Sequence, residues 1–255
     1  MSDSISRMSR VAWVTGGGRG IGRAIALALA DAGLDVAVSA RSMEELTAVA
    51  DEVESRGQRG LAIAADVMSF DDTRASAQAI LRDLGPIDVL VNNAGGGVRP
   101  RSEGAPEQID DQAFVDNVSL NLFSAYRATQ AVLGGMVERR YGRIINIGSG
   151  YAKRSGGAPA YTAAKHGLIG MTRAMAAQVA TQGVTINCLC PGWTNTKLVN
   201  MPAMPPERVR EIESENLQQR VLEPEELGPM AALLASEAGG SITGQVISVD
   251  GGYGV

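Results

Sequence analysis

Short apolar runs recur seven times along the chain, and they constrain the fold more than any other feature. They are RVAWVT (10–15), LDVAVS (34–39), GLAIAA (60–65), IDVLVN (87–92), GRIINIG (142–148), VTINCLC (184–190) and GQVISVD (244–250). Most lack the polar alternation of a half-exposed strand, so they read as strands buried on both faces. Alanine-rich segments with helical periodicity lie between them. In 22–32, Ile25, Leu29 and Ala32 fall on one helical face, and Gly33 stops the helix. Buried strands alternating with helices predict an α/β chain: one doubly wound parallel sheet of about seven strands with helices on both faces. The alternation uses nearly all 255 residues, with no linker, repeat or low-complexity tract, so a single domain over 1–255 is expected. Two segments break the rhythm, 95–104 and 194–208. Both follow the C-terminal end of a strand, the edge of a parallel sheet where ligands bind.

Composition excludes several classes of function. A net charge of −5 argues against nucleic acid as a partner. No apolar run reaches the ~18 residues of a membrane span. Residues 1–9 are polar, unlike a signal peptide, and are expected to be flexible; a cytoplasmic location follows. Cys188 and Cys190, two apart in a strand-like run, read as small buried hydrophobes rather than a disulfide or a metal site, and no metal is expected.

The first apolar run leads directly into TGGGRGIG (15–22). Gly16 permits a sharp turn, Gly20 leaves room for a pyrophosphate, and Gly22 lets the following helix pack close to the strand. The helix N-terminus offers free N–H groups and the positive end of its dipole. Gly18, Arg19 and Ile21 complete the same cradle. Past the second strand stand Ala40 and Arg41, with no carboxylate at that turn. An acid there binds a ribose hydroxyl, whereas a guanidinium suits a phosphate. Arg41, with Arg19 as a second cation, therefore predicts NADP(H) over NAD.

T-G-x3-G-x-G, then NNAG (92–95), then Tyr161-x3-Lys165, in that order, resembles the short-chain dehydrogenase/reductase family over essentially the whole chain. The resemblance implies a Rossmann-type fold. It places Asp66 and Val67 near the adenine and Asn93, Ala94 and Gly95 along the adenosine side. The Asn92–Asn93 pair is also expected to tie neighbouring strands. Pro191, Gly192, Thr194 and Thr196 would hold the nicotinamide end.

A hydride transfer to a carbonyl needs an acid for the developing alkoxide. The chain has one histidine, His166, about 100° round a helix from its neighbour Lys165, and it reads as a bystander. Lys165 instead shares a helix face with Tyr161 at i+4. A lysine cation about 4 Å from a phenolic oxygen favours phenolate by roughly 4 kcal/mol at an effective dielectric of ~20. By resemblance Tyr161 is the acid–base group, and Lys165 also bonds the nicotinamide ribose. Ser149 would steady the substrate carbonyl, and Asn121 would hold a water in the relay to Lys165. Helices expected over 107–138 and 158–182 would form subunit contacts of a homotetramer.

The substrate is less sharply written. Residues 194–220, with Met201 and Met204, resemble a variable substrate lid. Arg99, Arg101, Lys153 and Arg154 are expected at the pocket mouth, where they would attract an anionic acyl group. GRIINIGS, AYTAAKHGLIGMTRAMA and SITGQVISVDGG are most similar to 3-oxoacyl-[acyl-carrier-protein] reductases. Arg140 matches one basic carrier-docking position of those enzymes; Gln182 stands where the second would be. AAKHG and CPGWTNTKLV are similar to 3-hydroxybutyrate dehydrogenases, NAD enzymes with a histidine where this chain has Tyr151. Aromatic polyketide ketoreductases share KHG and CPG. These features together imply an NADPH-dependent reductase of a 3-oxoacyl or similar ketone to a secondary alcohol, an acyl thioester among the candidates. The alternatives are an NAD-dependent secondary-alcohol dehydrogenase and a non-catalytic dinucleotide sensor.

Overall fold

The computed structural model describes residues 9–97, 111–154 and 156–253. Arg99, Arg101 and residues 1–8 of the N-terminal segment lie outside them. The elements alternate as the apolar runs predict. β1 (Val11–Thr15), β2 (Asp35–Ala40) and β3 (Gly60–Ala64) are joined by α1 (Gly20–Asp31) and α2 (Met43–Glu54). α3 (Phe70–Asp83) leads to β4 (Ile87–Asn92). Then follow α4 (Asp111–Val118), α5 (Ser124–Glu138), β5 (Gly142–Ile147), α6 (Pro159–Val179) and β6 (Val184–Pro191). α7 (Pro206–Ser214), α8 (Gly228–Ala235) and β7 (Val246–Val249) complete the chain.

All seven strands pair in parallel in the order β3-β2-β1-β4-β5-β6-β7. The winding reverses between β1 and β4, which opens a crevice at their C-terminal ends. Alternate side chains feed two cores, which is why the runs look apolar throughout. Ala12, Val14, Val36, Val38, Val89, Val91, Ile145 and Leu189 meet α1, α2 and α8 on one face. Trp13, Leu90, Ile144 and Ile186 meet α3, α5 and α6 on the other.

Two expected helices differ in detail. The segment predicted as one helix over 107–138 is interrupted by a π-helical turn, Ser119–Phe123, between α4 and α5; 107–110 lie outside the described residues. The helix expected over 158–182 ends as α6 at Val179 and tightens into a 3-10 turn, Ala180–Gln182. Among the described residues no helix is long and apolar enough to cross a membrane, and no acidic, His or Cys cluster would hold a metal. Cys188 and Cys190 are free thiols, fully buried, with Sγ atoms 3.8 Å apart.

Candidate active site

The switch between β1 and β4 is stitched by one hydroxyl. Thr15 ends β1, and its Oγ1 donates to the Val91 carbonyl (3.3 Å) while accepting from the N–H groups of Asn93 and Ala94 (3.1 Å each). Asn93 returns the contact: its Nδ2 donates to the carbonyls of Thr15 (2.9 Å) and Gly16 (3.1 Å). The Gly-rich turn is thereby held against NNAG. A Cβ on Gly22 would lie 2.3 Å from the Gly16 oxygen, so only glycine lets α1 begin this close. Gly16 and Gly20 have φ of 64° and 53°, the left-handed region glycine enters without strain.

The start of α1 fits an anion. α2 and α3 begin with capping serines, Ser42 and Ser69, and carry acids in their first turns. α1 has neither a side-chain cap nor a first-turn acid. Its leading N–H groups are left for an outside acceptor, where negative charge is favoured. A cleft of about 740 Å³ opens over this turn. Gly16, Gly18, Arg19, Gly20 and Ile21 floor it. Arg41, Asp66 and Val67 line one end; Asn93, Ala94 and Gly95 line the middle. Tyr161, Lys165, Pro191 and Thr196 line the other end. Nearly every predicted cofactor residue thus meets in one groove, of a size and chemistry that fit a dinucleotide. Gly192 and Thr194 adjoin Pro191 but are not among the residues lining the cleft. Gly192 packs on Asp250, and the buried Thr194 donates its Oγ1 to the Gly192 carbonyl (3.0 Å).

α6 carries the tyrosine–lysine pair. Pro159 opens the helix, Tyr161 sits in its first turn, and Lys165 lies one turn on. Lys165 is 4% exposed, and its Nζ donates to the Ile147 carbonyl at the end of β5 (2.8 Å). The same Nζ stands 5.7 Å from the Tyr161 ring centroid. A desolvated ammonium therefore sits beneath the phenol, tethered to the strand that ends next to Ser149. Ser149 is buried and caps the short turn Gly150–Ala152, accepting from the Tyr151 N–H (3.2 Å). Beside it Tyr151 meets Trp193 and Tyr253 edge-on, at 6.2 and 6.1 Å. His166 is exposed, its Nδ1 against the Thr162 carbonyl (2.9 Å), away from the cleft.

Asn121, expected to hold a water in the relay to Lys165, has a side chain that also fastens a loop. It is 1% exposed inside the π-helical turn. Its Nδ2 donates to the carbonyls of Gly96 (2.8 Å) and Asn117 (3.0 Å), and its Oδ1 accepts from the Gly96 N–H (3.0 Å). The carboxamide is engaged by protein partners on both sides and fastens the loop after β4. Lys153 and Arg154 are likewise engaged: Lys153 donates to Ser248 Oγ (2.6 Å), and Arg154 stacks on Tyr253 and pairs with Glu215. Arg140 donates to the Thr181 carbonyl (3.1 Å).

Sequence reading expected Asn92 to tie neighbouring strands but not the continuation of that tie to α6, and it missed a second feature altogether. A buried amide ladder crosses the sheet: Asn92 Nδ2 donates to Asn146 Oδ1 (2.8 Å), and Asn146 Nδ2 donates to Thr172 Oγ1 (2.9 Å) on α6. The second feature is Glu45, which lines the cleft between Arg19 (3.3 Å) and Lys197 (2.9 Å). A hydrogen bond from Lys197, with Arg19 beside it, holds the Glu45 carboxyl below the usual carboxylate range. Its local signal was Ser42-x-x-Glu45, a capping-box spacing that fixes the glutamate in the first turn of α2.

Comparison with known proteins shows the family. The family model described as short chain dehydrogenase matches residues 10–203. The 3-oxoacyl-[acyl-carrier-protein] reductase FabG of Pseudomonas aeruginosa is 38% identical, covering 97% of this chain and 98% of that protein. An acetoacetyl-CoA reductase of Allochromatium vinosum is 39% identical over 96% of this chain and 98% of its own. The crystal structure of a single-residue variant of actinorhodin polyketide ketoreductase with NADPH superposes with a TM-score of 0.87 at 36% identity, covering 95% of this chain and 96% of that one. The chain belongs to the short-chain dehydrogenase/reductase family, oxidoreductases of carbonyl and alcohol groups that bind a nicotinamide dinucleotide.

Proposed function

We propose that the chain is an NADPH-dependent reductase of a 3-oxoacyl or related ketone, with Asn121, Ser149, Tyr161 and Lys165 as its catalytic set. The observation that carries the reading is the buried Lys165 ammonium, one helical turn from Tyr161 at the end of the dinucleotide-sized cleft. When bound, the reduced dinucleotide supplies the hydride. Ser149 Oγ donates to the substrate carbonyl and orients it. Tyr161 gives its phenolic proton to the oxygen that gains negative charge, and the Lys165 charge stabilises the phenolate left behind. Asn121 fixes Gly96 beside Lys165 and holds a water in the proton relay to Lys165.

Arg41 at the ribose end of the cleft, with Arg19 nearby, supports NADPH over NADH. The names of the FabG and acetoacetyl-CoA reductase relatives support an acyl thioester as substrate. The segment 194–220 serves as the lid: Thr196, Lys197 and Leu198 stand on the cleft wall, and α7 follows. The exposed apolar side chains Phe114, Phe123 and Tyr126 support helix contacts in a homotetramer.

The test is NADPH oxidation with acetoacetyl-CoA, bulky ketones and cyclic ketones, compared with NADH. Tyr161→Phe should lower kcat by at least about 100-fold, the contribution of a positioned acid, while NADPH still binds. Turnover of no ketone despite tight NADPH binding would instead favour a dinucleotide sensor.

A further inference from the structure

Glu45 joins three parts of the chain that are distant in sequence. Arg19 of the Gly-rich turn is 26 residues away and Lys197 after β6 is 152 away. The carboxylate is the seated member of the trio. Its side chain is 28% exposed, against 59% for Arg19 and 71% for Lys197. Its Cβ lies 3.2 Å from where a Cβ on Gly18 would stand, so the missing side chain at Gly18 admits it. Ser42 Oγ accepts from the Glu45 N–H (3.4 Å) and fixes the first turn of α2 beside the ribose end. Among the described residues, Glu45 and Asp66 are the acids lining the cleft, and Asp66 already accepts from the Met68 N–H (2.9 Å).

We propose that Glu45 is a specificity-determining counter-charge that weakens the cleft's discrimination in favour of a ribose 2′-phosphate. The inference rests on the reading that the adenosine end lies between Arg19 and Arg41. A phosphate monoester there brings close to two negative charges and needs the guanidinium that Glu45 occupies. The carboxylate repels the phosphate and competes for its cation. A free ribose hydroxyl suffers neither effect and finds an acceptor. Arg41 and Glu45 therefore pull dinucleotide choice in opposite directions. Lys197 modulates the balance from the substrate side, because it offsets the Glu45 charge.

The test measures binding of 2′,5′-ADP and 5′-AMP, probes that differ only in the 2′-phosphate, to the full chain by calorimetry. Glu45→Gln keeps the shape and removes the charge. It should raise the affinity ratio of 2′,5′-ADP to 5′-AMP by at least about three-fold, the scale of an exposed ion pair. The gain should shrink in high salt. Lys197→Met strips Glu45 of its nearer cation and should lower the same ratio. An unchanged or lower ratio in Glu45→Gln, or a higher one in Lys197→Met, overturns the proposal. The two readings separate cleanly. The wild-type ratio, and its fall in Arg41→Asp, report on NADPH preference; the change made by Glu45→Gln reports on the counter-charge.

Discussion

Asn146 is the residue whose replacement should reveal most about how the site is built. It is fully buried in β5, accepts from Asn92 and donates to Thr172 on α6. Its neighbours keep other partners: Asn92 Nδ2 also reaches Thr129 Oγ1 (3.1 Å), and Thr172 Oγ1 donates to the Leu168 carbonyl (2.8 Å). Asn146→Ala therefore removes two hydrogen bonds of about 1 kcal/mol each without stranding either partner completely. A small void adds to the cost, for a total of about 2–3 kcal/mol. In a chain of this size that is a fall in Tm of about 5–10 °C. Asn146→Asp separates chemistry from space filling. The aspartate has the same shape, but the oxygen it turns toward Thr172 meets a hydroxyl whose proton is already given to Leu168. A carboxylate there is buried and half-paired, so Asp should be worse than Ala near neutral pH. Burial raises the pKa of such a carboxyl, and the folded state then binds the proton more tightly than the unfolded one. The Asp variant should recover relative to wild type as pH falls. Thermal unfolding by circular dichroism at several pH values measures both effects. An Asp variant as stable as wild type at neutral pH, or more stable than Ala, would refute the argument that directed hydrogen bonds seat α6.

Thr185, also buried, has an Oγ1 with no hydrogen-bond partner among the described residues, so Thr185→Val should leave stability unchanged or raise it by up to about 1 kcal/mol, read from Tm. Gly22→Ala places a Cβ 2.3 Å from the Gly16 oxygen and 2.5 Å from Asn93 Nδ2. It should cost about 1–3 kcal/mol and weaken NADPH binding, seen by fluorescence titration, more than ten-fold. Arg220 holds the Glu226 carboxyl down to about 2, and a depressed carboxylate stabilises the fold only while ionised. Glu226→Gln should thus lose up to about 1 kcal/mol at pH 7, after screening, and the gap should close as pH falls from about 4.5 toward 2; a gap that widens in acid would contradict the pairing.

What was legible in the sequence was what local spacing encodes. Strands buried on both faces show as unbroken apolar runs, so β1 to β7 appear within a residue or two of their ends. Tyr161 and Lys165 share a helical turn, and their pairing follows from an interval of four. The π-helical turn was not legible, because Ser119–Phe123 continues the helical apolar pattern without a glycine or proline. The bonds of Asn121 to Gly96 cross 25 residues of chain, and nothing in its local spacing showed them. Lys153 and Arg154 looked free for the same reason: their partners, Ser248 and Glu215, arrive from later segments.

These differences have a direction. The groups that the structure brings together as expected lie at short, fixed intervals: the glycines of one turn, and a phenol with a lysine one turn away. The groups whose contacts the spacing did not show are charges and amides bonded to another element. A formal charge in a sequence has no sign of its environment until that partner is placed. Arg19 and Arg41 are alike on the page, both guanidiniums beside a phosphate site, but Arg19 shares its charge with Glu45. The proton chemistry of this cleft is therefore written locally, whereas the balance that selects one dinucleotide over another is set by how α2 and the segment after β6 close on the Gly-rich turn.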